Sequence, residues 1–223
     1  MQYLLCNGSP RGAKGTTGRI IDALTKGIAE ASSPTPENSL PPIGIDCALL
    51  HRVHEHAAVA TSFADADRVV IVFPLYTDGM PGLTMAFIEA LQPYTGRLQH
   101  MSIAYIVQSG FPEKRHSEAI TKYLERLTEI LGASYAGTAI FGGGMSLYGK
   151  RLELVNDLGR SFARTGRFDP ILLAKTTPMQ KMPFLLRGLL RLLSKTPLLQ
   201  FFWIPQLKAN GAYKKRFDRP YGE

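Results

Sequence analysis

The chain has 223 residues, 45% of them hydrophobic, and a formal net charge of +8. Its length supports one domain with an appendage, and no stretch approaches the roughly 18 uncharged apolar residues of a membrane-spanning helix. From Gln180 onward, nine Lys or Arg against two acidic residues supply +7 of the charge. The near-neutral remainder is ordinary for an enzyme acting on small molecules and argues against a nucleic-acid partner. The first strand is not preceded by the basic segment and apolar run of a secretory signal. We therefore expect that the chain has no such signal and that the protein is cytoplasmic.

Short apolar segments alternate with amphipathic helical patterns along the chain. Strands are predicted at Tyr3–Cys6, Ile43–Leu49, Val69–Phe73, Ser102–Val107 and Ser134–Phe141. Helices are predicted at Gly18–Ala31, Gly82–Leu91, His116–Leu131 and Lys150–Arg164. This alternation predicts an α/β fold with a doubly wound, five-stranded parallel sheet in the order 2-1-3-4-5. Residues 1–170 would form this domain, and residues 171–223 a basic, apolar, helical extension.

The first strand leads into a loop of small residues, hydroxyl groups and cations. The hydroxyls are Ser9, Thr16 and Thr17, the cations are Arg11 and Lys14, and the glycines are Gly12 and Gly15. Together with the first-turn amides of the next helix, these groups would bind an anion such as a phosphate. The alternative, a helix cap plus a turn, needs only one hydroxyl. The loop is neither a Walker A loop nor the glycine pattern of dinucleotide-binding folds.

Two further loops follow the third and fourth strands, at the same predicted edge of the sheet. Residues 74–82 combine two prolines and two glycines with Tyr76 and Met80, a rigid arrangement that suits the face and edge of a planar ring. Residues 108–113 add amide and hydroxyl donors. The glycines at 142–144 leave bare backbone after the fifth strand, although a flexible loop has the same composition.

Asn7-Gly8-Ser9-Pro10-Arg11 with Gly15-Thr16-Thr17, and the segment from Pro74 to Gly82, resemble the flavodoxin-like NAD(P)H-dependent FMN reductase family. The resemblance covers roughly residues 1–165. It implies an FMN phosphate held by Ser9, Arg11, Gly15, Thr16 and Thr17. It also implies an isoalloxazine ring lined by Pro74, Leu75, Tyr76, Thr77, Asp78, Gly79 and Met80, with Gln108, Ser109 and Gly110 at its other edge. Family members often carry Asn at the position of Thr16, and the chain lacks the cysteine cluster of the iron–sulfur relatives.

The resemblance implies an oxidoreductase in which FMN carries the chemistry, so no catalytic side chain is predicted. NAD(P)H would be the co-substrate, and a quinone, a free flavin, or an azo or nitro compound the acceptor. Tyr76, Phe111 and Tyr148 would stack on the substrate, or they belong to the core. A homodimer is expected. The alternatives are a non-catalytic FMN electron carrier of the flavodoxin type and a membrane-associated binding protein that has lost flavin.

The histidine and cysteine residues are interpreted as structural. His51, His54 and His56 lack a carboxylate-rich or cysteine partner apart from Glu55, so they are expected in a surface loop, with no metal site. Cys6 and Cys47 lie in apolar, strand-like surroundings and are expected as buried thiols.

Residues 179–223 lie outside the resemblance, and residues 179–219 are the part considered for contact with a membrane. Arg187, Arg191 and Lys195 are spaced by four and share a helix face, leucines cover the remainder, and residues 197–205 are nearly all apolar. Three interpretations remain open: packing on the chain's own domain or a dimer mate, peripheral contact with the inner face of an anionic membrane, or a lid over the flavin site. Membrane contact would favour a quinone acceptor.

Overall fold

Five strands form one parallel sheet in the order β2-β1-β3-β4-β5, which confirms the predicted topology. The strands are β1 (Gln2–Asn7), β2 (Gly44–Leu49), β3 (Arg68–Pro74), β4 (Ser102–Gln108) and β5 (Ser134–Phe141). The computed structural model describes residues 1–33, 42–111, 113–143, 149–176, 183–193 and 200–218. The central strands β3 and β4 are almost entirely buried, as expected for parallel strands covered on both faces.

Helices cover both faces of the sheet, and two more follow toward the carboxyl terminus. They are α1 (Thr16–Ala31), α2 (His56–Asp65), α3 (Gly82–Ala90), α4 (Glu118–Leu131), α5 (Lys150–Thr165), α6 (Pro170–Thr176), α7 (Phe184–Leu193) and α8 (Gln200–Ala209). Helix α2 was not predicted from the sequence. It is rich in alanine, and only its Ala60 and Phe63 are buried apolar residues, so its apolar stripe is too narrow to show as a helical pattern.

The hydrophobic core is divided by the sheet into two layers. One layer packs Phe63 of α2, Phe87 of α3 and Leu124 of α4 against the sheet. The other packs Leu24 of α1 and Leu158 of α5 against the opposite face. Cys6 and Cys47 are both free thiols. Cys6 belongs to the first layer. Thr25 and Asp22 of α1 influence the pKa of the Cys47 thiol. The expectation of buried thiols is confirmed for Cys6 and wrong for Cys47, which is exposed on the edge strand β2. Desolvation still raises the pKa of both thiols above the ordinary value, so they are poor nucleophiles at neutral pH.

Helices α1 and α5 approach each other closely at two glycines. A Cβ atom on Gly27 would overlap the backbone carbonyl oxygen of Asn156, and one on Gly159 would lie 2.6 Å from the carbonyl oxygen of Leu24. Arg160 of α5 reaches across this contact and donates a hydrogen bond of 2.6 Å to Glu30, which holds the pKa of that carboxyl below its usual range. The contact holds α1 on the sheet, and α1 carries the predicted phosphate loop at its amino terminus.

Arg68 at the start of β3 ties the sheet to the end of α5. Its guanidinium donates hydrogen bonds to the carbonyl oxygens of Phe162 and Ala163, the latter at 2.6 Å, and to the hydroxyl of Tyr3 at 3.2 Å. These carbonyls belong to the last turn of α5, which carries partial negative charge. The Phe162 carbonyl also accepts the Gly166 amide at 2.9 Å.

Replacing Arg68 with methionine is therefore expected to lower the free energy of unfolding by about 2 kcal/mol, because charge-assisted hydrogen bonds are lost. Urea unfolding followed by circular dichroism measures the change. Arg126→Met is the matched control, since Arg126 pairs with Glu129 on the surface and is largely exposed; its effect should stay within about 0.5 kcal/mol. Equal effects of the two substitutions would contradict the role given to Arg68.

The chain divides into two compact units, Met1–Lys181 and Met182–Glu223. Helix α6 belongs to the first unit because Leu172 and Leu173 pack against the layer formed by α1 and α5. Helices α7 and α8 belong to the second unit, and among the described residues no helix is long and apolar enough to cross a membrane.

Candidate functional site

The carboxyl ends of β1, β3 and β4 border a cavity of about 660 Å³. The strand order reverses between β1 and β3, which is where open α/β sheets bind ligands. The volume falls within the range of about 300–1,000 Å³ typical of small-molecule sites. The cavity is lined by Ser9, Arg11, Gly15, Thr16, Thr17, Pro74, Leu75, Tyr76, Thr77, Asp78, Gln108, Ser109, Gly110 and Phe111.

The loop after β1 is shaped by the buried side chain of Asn7. Its carbonyl oxygen accepts a hydrogen bond from the Ser9 amide at 3.0 Å, and its amide nitrogen donates to the carbonyl oxygen of Gly12 at 3.1 Å. The Ser9 hydroxyl in turn accepts the Arg11 amide at 3.2 Å. Asn7 therefore positions the loop without lining the cavity. Sequence reasoning gave it no role of its own, although an Asx turn after a strand could have been recognised.

The amino terminus of α1 faces this loop. Its N-cap residue, Gly15, provides no side-chain cap, so the amides of the first turn remain available for a ligand. A Cβ atom on Gly15 would lie 3.8 Å from the Ser9 hydroxyl oxygen and 3.7 Å from Cβ of Arg11, so the absent side chain leaves this space open. Free amides, a hydroxyl and a guanidinium on one concave surface are the donor set that binds a phosphate.

Arg19 is a further cation at this site that sequence reasoning did not select. Its guanidinium donates to the Thr16 hydroxyl at 3.2 Å. Spacing of three residues on a helix places the two side chains on one face, and that spacing is the signal that could have identified the pair. Arg19 fixes the Thr16 side chain and adds positive charge beside the cavity.

Two glycines allow neighbouring helices to pack directly on the loop. A Cβ atom on Gly18 would overlap the carbonyl oxygen of Ala13, and one on Gly8 would lie 2.5 Å from the Thr84 hydroxyl oxygen. Thr84, buried in α3, donates to the carbonyl oxygen of Gly8 at 2.9 Å. These contacts hold the loop between α1 and α3. The contact of Gly8 with Thr84 joins residues 76 positions apart, so no local pattern could have indicated it.

A tight turn after β3 forms the second wall of the cavity. Tyr76 and Gly79 exchange two backbone hydrogen bonds, of 2.9 and 3.0 Å. Between them, Thr77 and Asp78 have φ angles of +48° and +62°. A positive φ is unfavourable for a β-branched residue such as Thr77, and strained backbone of this kind is concentrated at functional sites. The two hydrogen bonds and the strained backbone therefore give this wall of the cavity a fixed shape.

The segment after β4 forms the third wall. The Leu75 amide donates to the carbonyl oxygen of Gln108 at 2.7 Å, and the buried Ser109 accepts the Phe111 amide on its hydroxyl at 3.2 Å. Phe111 is 61% exposed and Tyr76 48% exposed. The cavity therefore has two accessible aromatic side chains, which are suited to stacking on a planar ligand.

Arg151 holds the end of β5 to the start of α5. Its guanidinium donates to the carbonyl oxygen of Gly142 at 2.7 Å and lies 5.6 Å from the centre of the Phe141 ring. Partial burial lowers the pKa of Arg151 from its ordinary value, but the group stays positively charged at neutral pH.

Most predicted site residues line the one cavity, and two do not. Gly79 closes the turn with Tyr76, and Met80 follows it with its side chain buried in the core. Both residues border a smaller cavity of about 240 Å³. Phe111, predicted as a substrate contact, lines the main cavity together with Tyr76. Tyr148 lies outside the described residues. The binding role of each residue remains a prediction.

The assignment of all three histidines to a surface loop is wrong for His56. His51 and His54 are exposed, but His56 begins α2 and is buried, with Nε2 2.8 Å from the carbonyl oxygen of Leu50 and its ring 5.5 Å from that of Phe87. It anchors the helix on the core. In the described part of the chain, no three His, Cys, Asp or Glu residues are grouped so as to hold a metal ion.

Comparison with known proteins places the fold. A family model described as the flavodoxin-like fold matches residues 1–153. An FMN-dependent NADH-azoreductase from Bacillus anthracis, solved with FMN, is 14% identical with a TM-score of 0.57, over 74% of this chain and 100% of that one. An NAD(P)H:quinone oxidoreductase from Methanothermobacter marburgensis is 14% identical with a TM-score of 0.55, over 75% and 99%.

A WrbA-like flavodoxin from Agrobacterium tumefaciens is 15% identical with a TM-score of 0.55, over 73% of this chain and 94% of that one. No curated protein sequence matches the chain at a significant level. At these identities the structural likeness concerns the fold alone, and the matched family model covers the strands and loops that border the cavity.

Proposed function

Because the chain belongs to the flavodoxin-like fold family, we propose that it is an FMN-dependent NAD(P)H oxidoreductase. The observation that carries this proposal is the cavity where the strand order reverses. Hydrogen-bond donors suited to a phosphate line one end of it, and a strained turn and two exposed aromatic side chains line the rest. This arrangement fits a ligand that has a phosphate at one end and a planar ring at the other.

Each wall has a proposed role toward FMN. The Ser9 hydroxyl and the first-turn amides of α1 bind the phosphate, and Arg11 neutralises its charge. The backbone of residues 74–78 and of residues 108–110 holds the ring between β3 and β4. When bound, FMN supplies the hydride chemistry, and the protein supplies binding, orientation and electrostatics. No side chain of the chain is required as a general acid or base.

Tyr76 and Phe111 are proposed to position the co-substrate. Both line the cavity and both are accessible, so they can stack on the planar ring of NAD(P)H or of an acceptor. The structurally similar proteins include one named as an azoreductase and one named as a quinone oxidoreductase. We propose a quinone, an azo compound or a free flavin as the acceptor here. The FMN-binding part is proposed to comprise residues 1–170, and the active form to be a homodimer.

The absorption spectrum of the purified protein tests this proposal. FMN is added, unbound flavin is removed, and NADH or NADPH is then added without oxygen. A flavin spectrum that stays with the protein and bleaches on adding nicotinamide is the expected result. Bound flavin that is reduced only by a partner reductase would favour an electron carrier, the alternative consistent with the similarity to a WrbA-like flavodoxin. Failure to bind FMN in excess would overturn both functions.

Replacing Thr77 with glycine should have opposite effects on stability and binding. Relief of the positive φ raises the free energy of unfolding of the flavin-free protein by about 1 kcal/mol. The looser turn weakens FMN binding about threefold, since part of the preorganisation is lost. Urea unfolding and flavin fluorescence titration measure the two effects.

Thr95→Gly is the control for this substitution. Thr95 has a φ of −51°, so glycine relieves no strain there and should lower the free energy of unfolding by about 0.5–1 kcal/mol. If Thr77→Gly also destabilised the protein, the turn would not hold the strained conformation described.

A further inference from the structure

The second unit, Met182–Glu223, is strongly basic. Its eight Lys or Arg against two acidic residues supply +6 of the net charge of +8. On α7, Arg187 and Arg191 lie one turn apart on the same face. The first unit is close to neutral, so the positive charge of the protein is concentrated at its carboxyl end.

The same unit exposes large apolar side chains. Leu185, Leu189 and Leu192 lie on the side of α7 opposite its two arginines, and all three are exposed, Leu185 by 83%. The adjacent Phe184 is exposed to the same extent. A unit of this size buries too little apolar surface to form a large core of its own. Helix α7 therefore presents a basic face and an opposite leucine face.

Helix α8 and the residues after it add aromatic side chains. Phe201 and Trp203 are exposed by 70% and 59%. The Arg216 guanidinium lies 3.8 Å from the centre of the Tyr213 ring and 4.6 Å from that of Phe217, which is 80% exposed. Exposed aromatic rings beside cations are typical of segments that lie at the boundary between lipid headgroups and acyl chains.

We propose that residues 182–223 bind the surface of an anionic lipid bilayer, with the leucines of α7 and the aromatic side chains of α8 inserted at the headgroup level. Charge complementarity selects this partner, because the arginines and lysines of the unit attract anionic headgroups while its apolar side chains leave water. Helix α7 has ten residues, which span about 15 Å, so it lies in the interface and does not cross it. The inference goes beyond the proposed oxidoreductase function and does not depend on it.

Trp203 makes the test direct because it is the only tryptophan of the chain. The full-length protein is mixed with vesicles of phosphatidylcholine and phosphatidylserine, or of phosphatidylcholine alone. Expected results are a blue shift of Trp203 emission and cosedimentation with the anionic vesicles only. At about 1 M salt, where the Debye length falls to about 3 Å, binding should weaken strongly.

Two pairs of substitutions separate the charged and apolar contributions. Arg187→Gln with Arg191→Gln should weaken binding about 25-fold, since each basic residue near an anionic surface contributes about fivefold. Leu185→Gln with Leu189→Gln should reduce both binding and the blue shift. All four residues are exposed, so the fold should tolerate both changes.

The matched control is Lys122→Gln with Arg126→Gln, two exposed cations with the same four-residue spacing on α4 of the first unit. It removes the same charge and should bind vesicles like the wild type. A Trp203 emission unchanged by anionic vesicles, with the protein left in the supernatant at low salt, would overturn the proposal. So would an emission that shifts with protein concentration alone, which would mean that a second copy covers the apolar face. A Trp203 emission that is already blue without vesicles would also overturn the proposal, because it would mean that the protein's own residues cover the apolar face.

Discussion

Replacing Gly18 with alanine is expected to weaken FMN binding by at least about 100-fold, equivalent to about 3 kcal/mol. The added Cβ atom would overlap the carbonyl oxygen of Ala13, so α1 must move away from the loop that holds Ser9 and Arg11. The proposed phosphate donors come from both the loop and the first turn of α1, and they converge only when the two are in contact. Flavin fluorescence titration measures the affinity.

Gly188→Ala is the matched control for this substitution. Gly188 is also a helix residue, and a Cβ atom there meets nothing within 4 Å. Alanine is the better helix former, so the change should leave FMN affinity unaltered and stabilise α7 by up to about 1 kcal/mol. If Gly18→Ala bound FMN as tightly as the wild type, the cradle between the loop and α1 would not be the phosphate site. The proposed function would then lose its main support.

Replacing Gly27 with alanine is expected to lower the free energy of unfolding by about 3 kcal/mol, with a fall in melting temperature of about 9 °C. Gly27 lies on α1 about three turns beyond the predicted phosphate loop, where its missing side chain lets the backbone of α5 approach. A Cβ atom would overlap the carbonyl oxygen of Asn156, and neither helix backbone can give way without losing core contacts. Calorimetry on the flavin-free protein measures the loss.

Gly159→Ala tests the same contact from the side of α5 and should destabilise the protein by a similar amount, since its Cβ atom would lie 2.6 Å from the carbonyl oxygen of Leu24. Well below the melting temperature, both variants should bind FMN within about threefold of the wild type. This outcome separates them from Gly18→Ala. Full stability of both variants would contradict the close packing of α1 on α5.

The order of the sheet and the position of the cavity could be predicted because they depend on local patterns. β5 (Ser134–Phe141) was predicted with its observed bounds, and the other strands to within one residue at each end, since a buried parallel strand is a short apolar run. The loops that follow β1, β3 and β4 were identified as the site because right-handed connections bring the strand ends to one edge. Helix α2 was missed because Ala60 and Phe63 are its only buried apolar residues, too few to show as a helical pattern.

What the sequence alone determined is the alternation of strands and helices and the types of residue at the strand ends. Both follow from polarity and backbone preference, which act over a few neighbouring residues. Only the tertiary structure decided that Asn7 shapes the loop, that Met80 lies in the core, and that Gly18 and Gly27 are points of contact between elements. The roles of Gly27 and Met80 depend on segments far apart in the chain. Asn7 and Gly18 contact residues at most five positions away, but those atoms meet only once the loop has folded against α1. A single glycine or methionine carries no local sign of what will pack against it.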